Sequence, residues 1–141
     1  MEDVKSDDLE LDKDKRLVLQ YRGLVEVTIL SPSLSDDMLI LDISFNNILT
    51  LPFMAILELR ELPKLNCANN ELVSISCKVY TLPYLKVLRA NRNKISIFPD
   101  RIGKCRQLKR LILSENELSL LPDDLAEYQN LRELKLQNHF V

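Results

Sequence analysis

Leu85-Lys86-Val87-Leu88-Arg89-Ala90-Asn91-Arg92-Asn93-Lys94-Ile95, followed by Phe98-Pro99, is the stretch that decides the fold. Moving on 23 residues, its frame returns as Leu108, Leu111, Leu113, Asn116, Leu118 and Leu121-Pro122. A further 23 residues bring Leu131, Leu134 and Leu136, with His139 at the asparagine position. In the other direction Leu62, Leu65, Cys67, Asn70, Leu72 and Ile75 fit the same frame. A step of 24 residues further back gives Met38, Leu41, Ile43, Asn46, Ile48 and Leu51-Pro52. A weaker first unit holds Leu17, Leu19, Arg22, Leu24 and Val27. Leucine supplies 29 of the 141 residues, so one apolar shape is being reused at a fixed interval.

The frame has a direct physical reading. In Leu88-x-Ala90 or Leu111-x-Leu113, alternate side chains point inward from a short strand. Each unit lays one strand parallel to the last, about 4.8 Å away. Later apolar positions, such as Ile102 with Cys105 and Leu125 with Tyr128, are expected to pack a helical or 3₁₀ return segment against the sheet. No unit can bury its own apolar face, so stability must come from stacking on neighbours. Asn46, Asn70, Asn93 and Asn116 sit where the strand turns away, and a buried amide there can bond the backbone of its own turn and of the adjacent unit. They are expected to form an internal structural ladder. Pro52, Pro99 and Pro122 fix φ as the chain leaves the turn.

The pattern L-x-x-L-x-L-x-x-N-x-L-x-x-L-P resembles the leucine-rich repeat. Its period, with proline after the fourth hydrophobic position, is similar to the intracellular subclass of Ras-pathway and cell-polarity scaffolds. It is less similar to the shorter repeat of phosphatase regulators. The resemblance implies an α/β leucine-rich-repeat solenoid of about six repeats over residues 14–141, starting near 14, 38, 62, 85, 108 and 131. Short parallel strands would line the concave face, and 3₁₀, short helical or irregular segments the convex face. Such a likeness is specific for fold and says little about function.

A solenoid exposes its core at both ends unless something covers it. Residues 1–13 are acidic, with apolar Val4, Leu9 and Leu11, and read as an N-terminal arm or partial cap. At the back, the sequence stops at Phe140-Val141, just after the sixth strand position. A shortened product of a longer protein, a homodimer through the uncapped last repeat, and a fold-back of the final residues would each explain that end.

Little in the chain points to catalysis. The single histidine, His139, reads as a ladder substitute, and no serine or cysteine has a histidine and carboxylate to activate it. Cys67, Cys77 and Cys105 match no metal-knuckle spacing. Cys67 and Cys105 occupy core positions, whereas Cys77 falls in an irregular segment. Gly23 and Gly103 stand alone, so no phosphate loop is present. Asp7-Asp8, Asp36-Asp37 and Asp123-Asp124 lack calcium-loop spacing. No cofactor or metal is expected. The net charge is −2, which gives no global pull toward nucleic acid or anionic membrane. No stretch approaches the roughly 18 apolar residues of a membrane span, and the acidic start lacks a secretory pattern. The expected setting is intracellular, cytoplasmic, with free thiols.

What remains is surface. Reading off the outward strand positions gives three rows. The first is Arg16, Ile40, Lys64, Val87, Arg110, Glu133. The second is Val18, Asp42, Asn66, Arg89, Ile112, Lys135. The third, beside the ladder, is Tyr21, Phe45, Asn69, Arg92, Glu115, Asn138. Tyr21, Phe45, Ile40 and Val18 gather an apolar, aromatic patch, and such residues anchor interfaces. Lys64, Lys86, Arg89, Arg92, Lys94, Lys109 and Arg110 make a basic centre. Glu115, Glu117 and Glu133 make the far edge acidic. A protein partner with an apolar anchor and an acidic segment would suit Tyr21, Ile40, Asp42, Phe45, Lys64, Asn66, Arg89, Arg92, Arg110, Ile112 and Glu115, since arginine favours bidentate carboxylate recognition. The leading expectation is therefore a non-catalytic scaffold or adaptor that binds a protein on its concave face. The alternative is a recognition or regulatory segment of a larger enzyme complex, such as a ubiquitin ligase or phosphatase assembly. RNA binding is the least favoured reading, because stacking aromatics are not interleaved with the cations.

Overall fold

In the computed structural model, the described residues are 9–27, 36–51, 59–76, 78–79, 82–97, 105–121 and 130–138. Among them the chain lays down six three-residue strands in order: β1 (Arg16–Val18), β2 (Ile40–Asp42), β3 (Lys64–Asn66), β4 (Val87–Arg89), β5 (Arg110–Ile112) and β6 (Glu133–Lys135). They form one sheet in sequence order, every neighbouring pair parallel. The central residues Leu17, Leu41, Leu65, Leu88, Leu111 and Leu134 fall in one register row. This is the solenoid that the repeat frame requires.

The pairing continues past the strands. Leu19, Ile43, Cys67, Ala90 and Leu113 each donate their N–H to a carbonyl of the next repeat, at 2.8–2.9 Å. Two residues later Tyr21, Phe45, Asn69, Arg92 and Glu115 do the same, at 2.8–3.1 Å. The second set is backbone of an unusual kind. Tyr21, Phe45, Asn69, Arg92, Glu115 and Asn138 all have φ between 54° and 60°, the left-handed region that costs a non-glycine residue about 1–2 kcal/mol. Each repeat thus turns its chain through a left-handed residue immediately before the ladder position. The sequence frame gave no sign of it, because glycine is absent from all six positions.

The ladder holds those turns in place. Asn46 donates from Nδ2 to the carbonyls of Leu19 and Ile43, at 2.8 and 3.0 Å, and its Oδ1 accepts from the N–H groups of Arg22 and Leu24. Asn70 reaches Ile43 and Cys67 and accepts from Ile48. Asn93 reaches Cys67 and Ala90 and accepts from Leu72. Asn116 reaches Ala90 and Leu113 and accepts from Ile95. All four are buried, and each bonds its own turn and the preceding repeat. The sites left polar inside the core are therefore satisfied, which is the condition for keeping them there.

The core is one continuous stack running from Leu17 to Leu118, with Leu9, Leu11, Leu51, Leu131 and Leu136 partly buried against it. At the front, Asp12 folds back on β1. Its N–H donates to the Arg16 carbonyl, its Oδ1 accepts from the N–H groups of Asp14 and Arg16, and its Oδ2 meets Arg16 Nε at 2.8 Å. Those backbone and side-chain bonds, the Arg16 N–H first among them, hold the Asp12 carboxyl below its ordinary value. The expected return-segment contacts of Ile102, Leu125 and Tyr128, the three turn prolines, Cys77 and His139 lie outside the described residues.

Candidate binding surface

The concave sheet carries its outward side chains in the three rows that the register fixes, and their chemistry changes along the stack. Over β1 and β2 it is apolar. Tyr21 and Phe45 stack with ring centroids 4.7 Å apart and an interplanar angle of 17°. They remain 73% and 39% exposed. Exposed Val18 and Leu39 and half-buried Ile40 extend the same patch. A stacked pair of this geometry is itself stabilising, yet most of the Tyr21 ring still faces solvent. Both aromatics occupy left-handed positions that glycine or asparagine would fill with less strain.

Beside that patch, Asp42 is engaged internally. It accepts from Ser44 Oγ at 2.6 Å, Ser44 N–H at 3.0 Å and Gln20 Nε2 at 2.8 Å. Its carboxylate is therefore committed to the β1–β2 junction. Asn66 does something similar on a smaller scale, accepting the Ala68 N–H at 3.2 Å. Gln20 was not singled out by the sequence frame, because it falls between an inward and a left-handed position.

The basic centre separates into two groups. Arg92 Nε meets Glu115 Oε2 at 2.9 Å, Arg110 Nε meets Glu133 Oε2 at 3.2 Å, and Lys94 Nζ meets Glu71 Oε2 at 2.6 Å. Lys64, Lys86, Arg89 and Lys109 make no ion pair among the described residues. The acidic edge is consequently not a free patch, since Glu115 and Glu133 each neutralise a register neighbour. These pairs are exposed, and such pairs are worth under about 1 kcal/mol, so an incoming carboxylate can exchange with them.

One expected contact residue, Ile112, is largely covered. Ile112 points to the concave side but is only 9% exposed. Its register neighbours are Arg89 and Lys135, whose long alkyl stems can lie over an apolar side chain while their charges stay in water. Ile112 thus contributes little surface for a partner. Tyr21, Phe45, Lys64 and Arg89 stay exposed and available.

The two described thiols, Cys67 and Cys105, offer no reactive centre. Cys67 is fully buried, its Sγ–H donates to the Arg89 carbonyl at 3.2 Å, and burial pushes its pKa up to about 12. Burial likewise raises Cys105 to about 11. Nucleophilic cysteine needs the opposite shift. Among the described residues no cluster of histidine, cysteine, aspartate or glutamate could hold a metal ion, and no helix is long and apolar enough to cross a membrane.

Comparison with known proteins agrees with the geometry. The Leucine Rich Repeat family profile matches residues 107–127. No curated protein sequence matches the chain. Among solved structures, a leucine-rich-repeat protein of Leptospira interrogans superposes with a TM-score of 0.69 at 28% identity, over 79% of this chain and 29% of its own. The leucine-rich-repeat ectodomain of the Arabidopsis thaliana receptor kinase SOBIR1 follows with a TM-score of 0.66 at 24% identity, over 87% of this chain and 68% of its own. An internalin of Listeria monocytogenes gives 0.61 at 22%, over 80% of this chain and 34% of its own. The chain thus spans about a third of the Leptospira and Listeria proteins. The last two likenesses bear on fold alone. With a family profile on its fifth repeat, six strands in one parallel register and an asparagine ladder between them, the chain is a leucine-rich-repeat protein.

Proposed function

We propose that the chain is a non-catalytic interaction module that holds a protein partner on its concave sheet. Leucine-rich-repeat folds generally serve protein–protein interaction, and repeat solenoids present their extended concave surface for that purpose. The observation that carries the reading is the stacked, exposed Tyr21–Phe45 pair at one end of the sheet. Aromatic side chains of this kind supply most of the energy of an interface when a partner desolvates them. Arg89, exposed and without an ion pair among the described residues, lies two strands beyond β2 and would meet a carboxylate of the same partner. Six strands at about 4.8 Å span about 25–30 Å, enough for an interface of about 800 Å² per partner. We read the setting as intracellular, a view supported by the buried free thiols of Cys67 and Cys105.

The test is affinity purification of the full chain with mass spectrometry, repeated with the double substitution Phe45→Ala and Arg89→Ala. Neither residue belongs to the buried core, so the variant should stay folded, its melting temperature lowered only by loss of the Tyr21–Phe45 stack, while the partners captured by the wild type are lost. Capture of the same partners by the folded double variant would overturn the concave-face reading.

A further inference from the structure

Along β3 to β6 the sheet holds an open groove of ≈ 510 Å³, lined by Lys64, Lys86, Val87, Lys109, Arg110, Arg132 and Glu133. Five of those seven residues are cations and one is an acid, in a chain whose net charge is −2. The acid is already used: Glu133 sits 3.2 Å from Arg110 and 3.3 Å from Lys135. Lys64, Lys86, Lys109 and Arg132 make no ion pair among the described residues.

The backbone sets three of them in a column. Lys109 donates its N–H to the Lys86 carbonyl, and Arg132 donates to the Lys109 carbonyl, both at 2.8 Å. Lys86, Lys109 and Arg132 therefore stand one repeat apart, at the position immediately before β4, β5 and β6. That spacing, about 4.8 Å, lies inside the Debye length of about 8 Å at physiological salt. Like charges on adjacent strands repel and destabilise the sheet. Among the described residues, none of the three side chains bonds the core or caps a turn.

We propose that this groove is an anion-binding site for an acidic peptide segment, the carboxylates of which neutralise the Lys86–Lys109–Arg132 column. Carboxylate is favoured over nucleic acid because the lining holds no aromatic side chain on which a base could stack. Val87 supplies the one apolar floor residue. The inference deepens the reading above by seating the acidic part of a partner whose apolar part rests on Tyr21 and Phe45. The two fail separately, because Tyr21→Ala with Phe45→Ala should leave binding of a purely acidic peptide unchanged.

The experiment uses the full chain and a labelled polyglutamate peptide of about ten residues, about 33 Å when extended, followed by fluorescence anisotropy. The wild type should bind at about 50 mM salt and weaken steeply toward about 200 mM, as screening requires. Lys86→Gln with Lys109→Gln should reduce affinity about tenfold. Lys13→Gln with Arg60→Gln, the same charge change outside the groove, should cost less than about twofold. The melting temperature of the groove variant should equal or exceed that of the wild type, because repulsion is relieved. No binding by the wild type, or an equal loss in the control variant, would overturn the proposal. So would tighter binding of an oligouridine of equal charge. A fall of more than about 5 °C in the groove variant would show that the column serves folding, and would overturn it as well.

Discussion

β4 and β6 are written in the same frame, Leu85-Lys86-Val87-Leu88-Arg89-Ala90 against Leu131-Arg132-Glu133-Leu134-Lys135-Leu136. Leu88 is fully buried, whereas Leu134, its register equivalent two strands on, is 38% exposed. The frame decides which way a leucine points, and the neighbouring repeats decide how much water it loses. β1 shows that an end strand need not share the fate of β6. Leu17 is 3% exposed, with Leu9 and Leu11 packed against the same core and the Asp12 turn bonded back to Arg16 beside it.

The contrast is broken most directly by truncating the two leucines. Leu88→Ala removes a side chain packed on both sides and should cost about 3–4 kcal/mol. Leu134→Ala, half open to solvent, should cost about 1 kcal/mol. Urea unfolding of both variants measures the difference, and equal losses would mean that burial in the stack is not what stabilises an interior repeat.

Asn93→Ala probes the polar side of the same comparison. It leaves the buried Leu72 N–H without its acceptor and takes from the Cys67 carbonyl one of its two amide donors, Asn70 remaining, and should cost about 2 kcal/mol. Amide hydrogen exchange should report the loss at Leu72 before it appears near Arg16.

The smallest expected effect lies at the closed front end. The Asp12 carboxyl is held below its ordinary 3.8, chiefly by the Arg16 N–H, so the folded state takes up that proton less readily than the unfolded chain. Its contribution is complete above the ordinary carboxylate value and is lost as pH falls through the folded value. Asp12→Asn should therefore reduce stability slightly at neutral pH and flatten its decline in acid. An acid-denaturation curve identical to that of the wild type would remove Asp12 from the account of how this end is closed.

Much of this was legible from spacing, and the exceptions share a cause. The six strand positions, their register rows and the four ladder asparagines follow from a period, because a period states which atoms must meet. Ile112 was not legible as shielded, because its exposure depends on the side chains of its register neighbours Arg89 and Lys135 on other strands. The rows place Arg92 and Arg110 in the basic centre without showing that each pairs with its neighbour, Glu115 or Glu133. Pairing depends on rotamers, which a row of letters does not specify. Arg132 holds the same pre-strand position as Lys86 and Lys109, but it stands beside Glu133 in the acidic stretch of the sequence, and only the groove joins it to the basic centre. The left-handed row was hidden for a different reason. Asn69 and Asn138 suit that conformation, but Tyr21, Phe45, Arg92 and Glu115 give no hint of it.

Between repeats, the ladder bonds all run one way. The amide of Asn46 completes the turn of the first repeat, that of Asn70 the second, that of Asn93 the third and that of Asn116 the fourth. A chain leaving the ribosome therefore cannot latch a turn until the following repeat has emerged. At about 5–20 residues per second, each latch closes about 1–5 seconds after the turn it secures. Translation speed thus sets how long every newly made repeat waits unfastened.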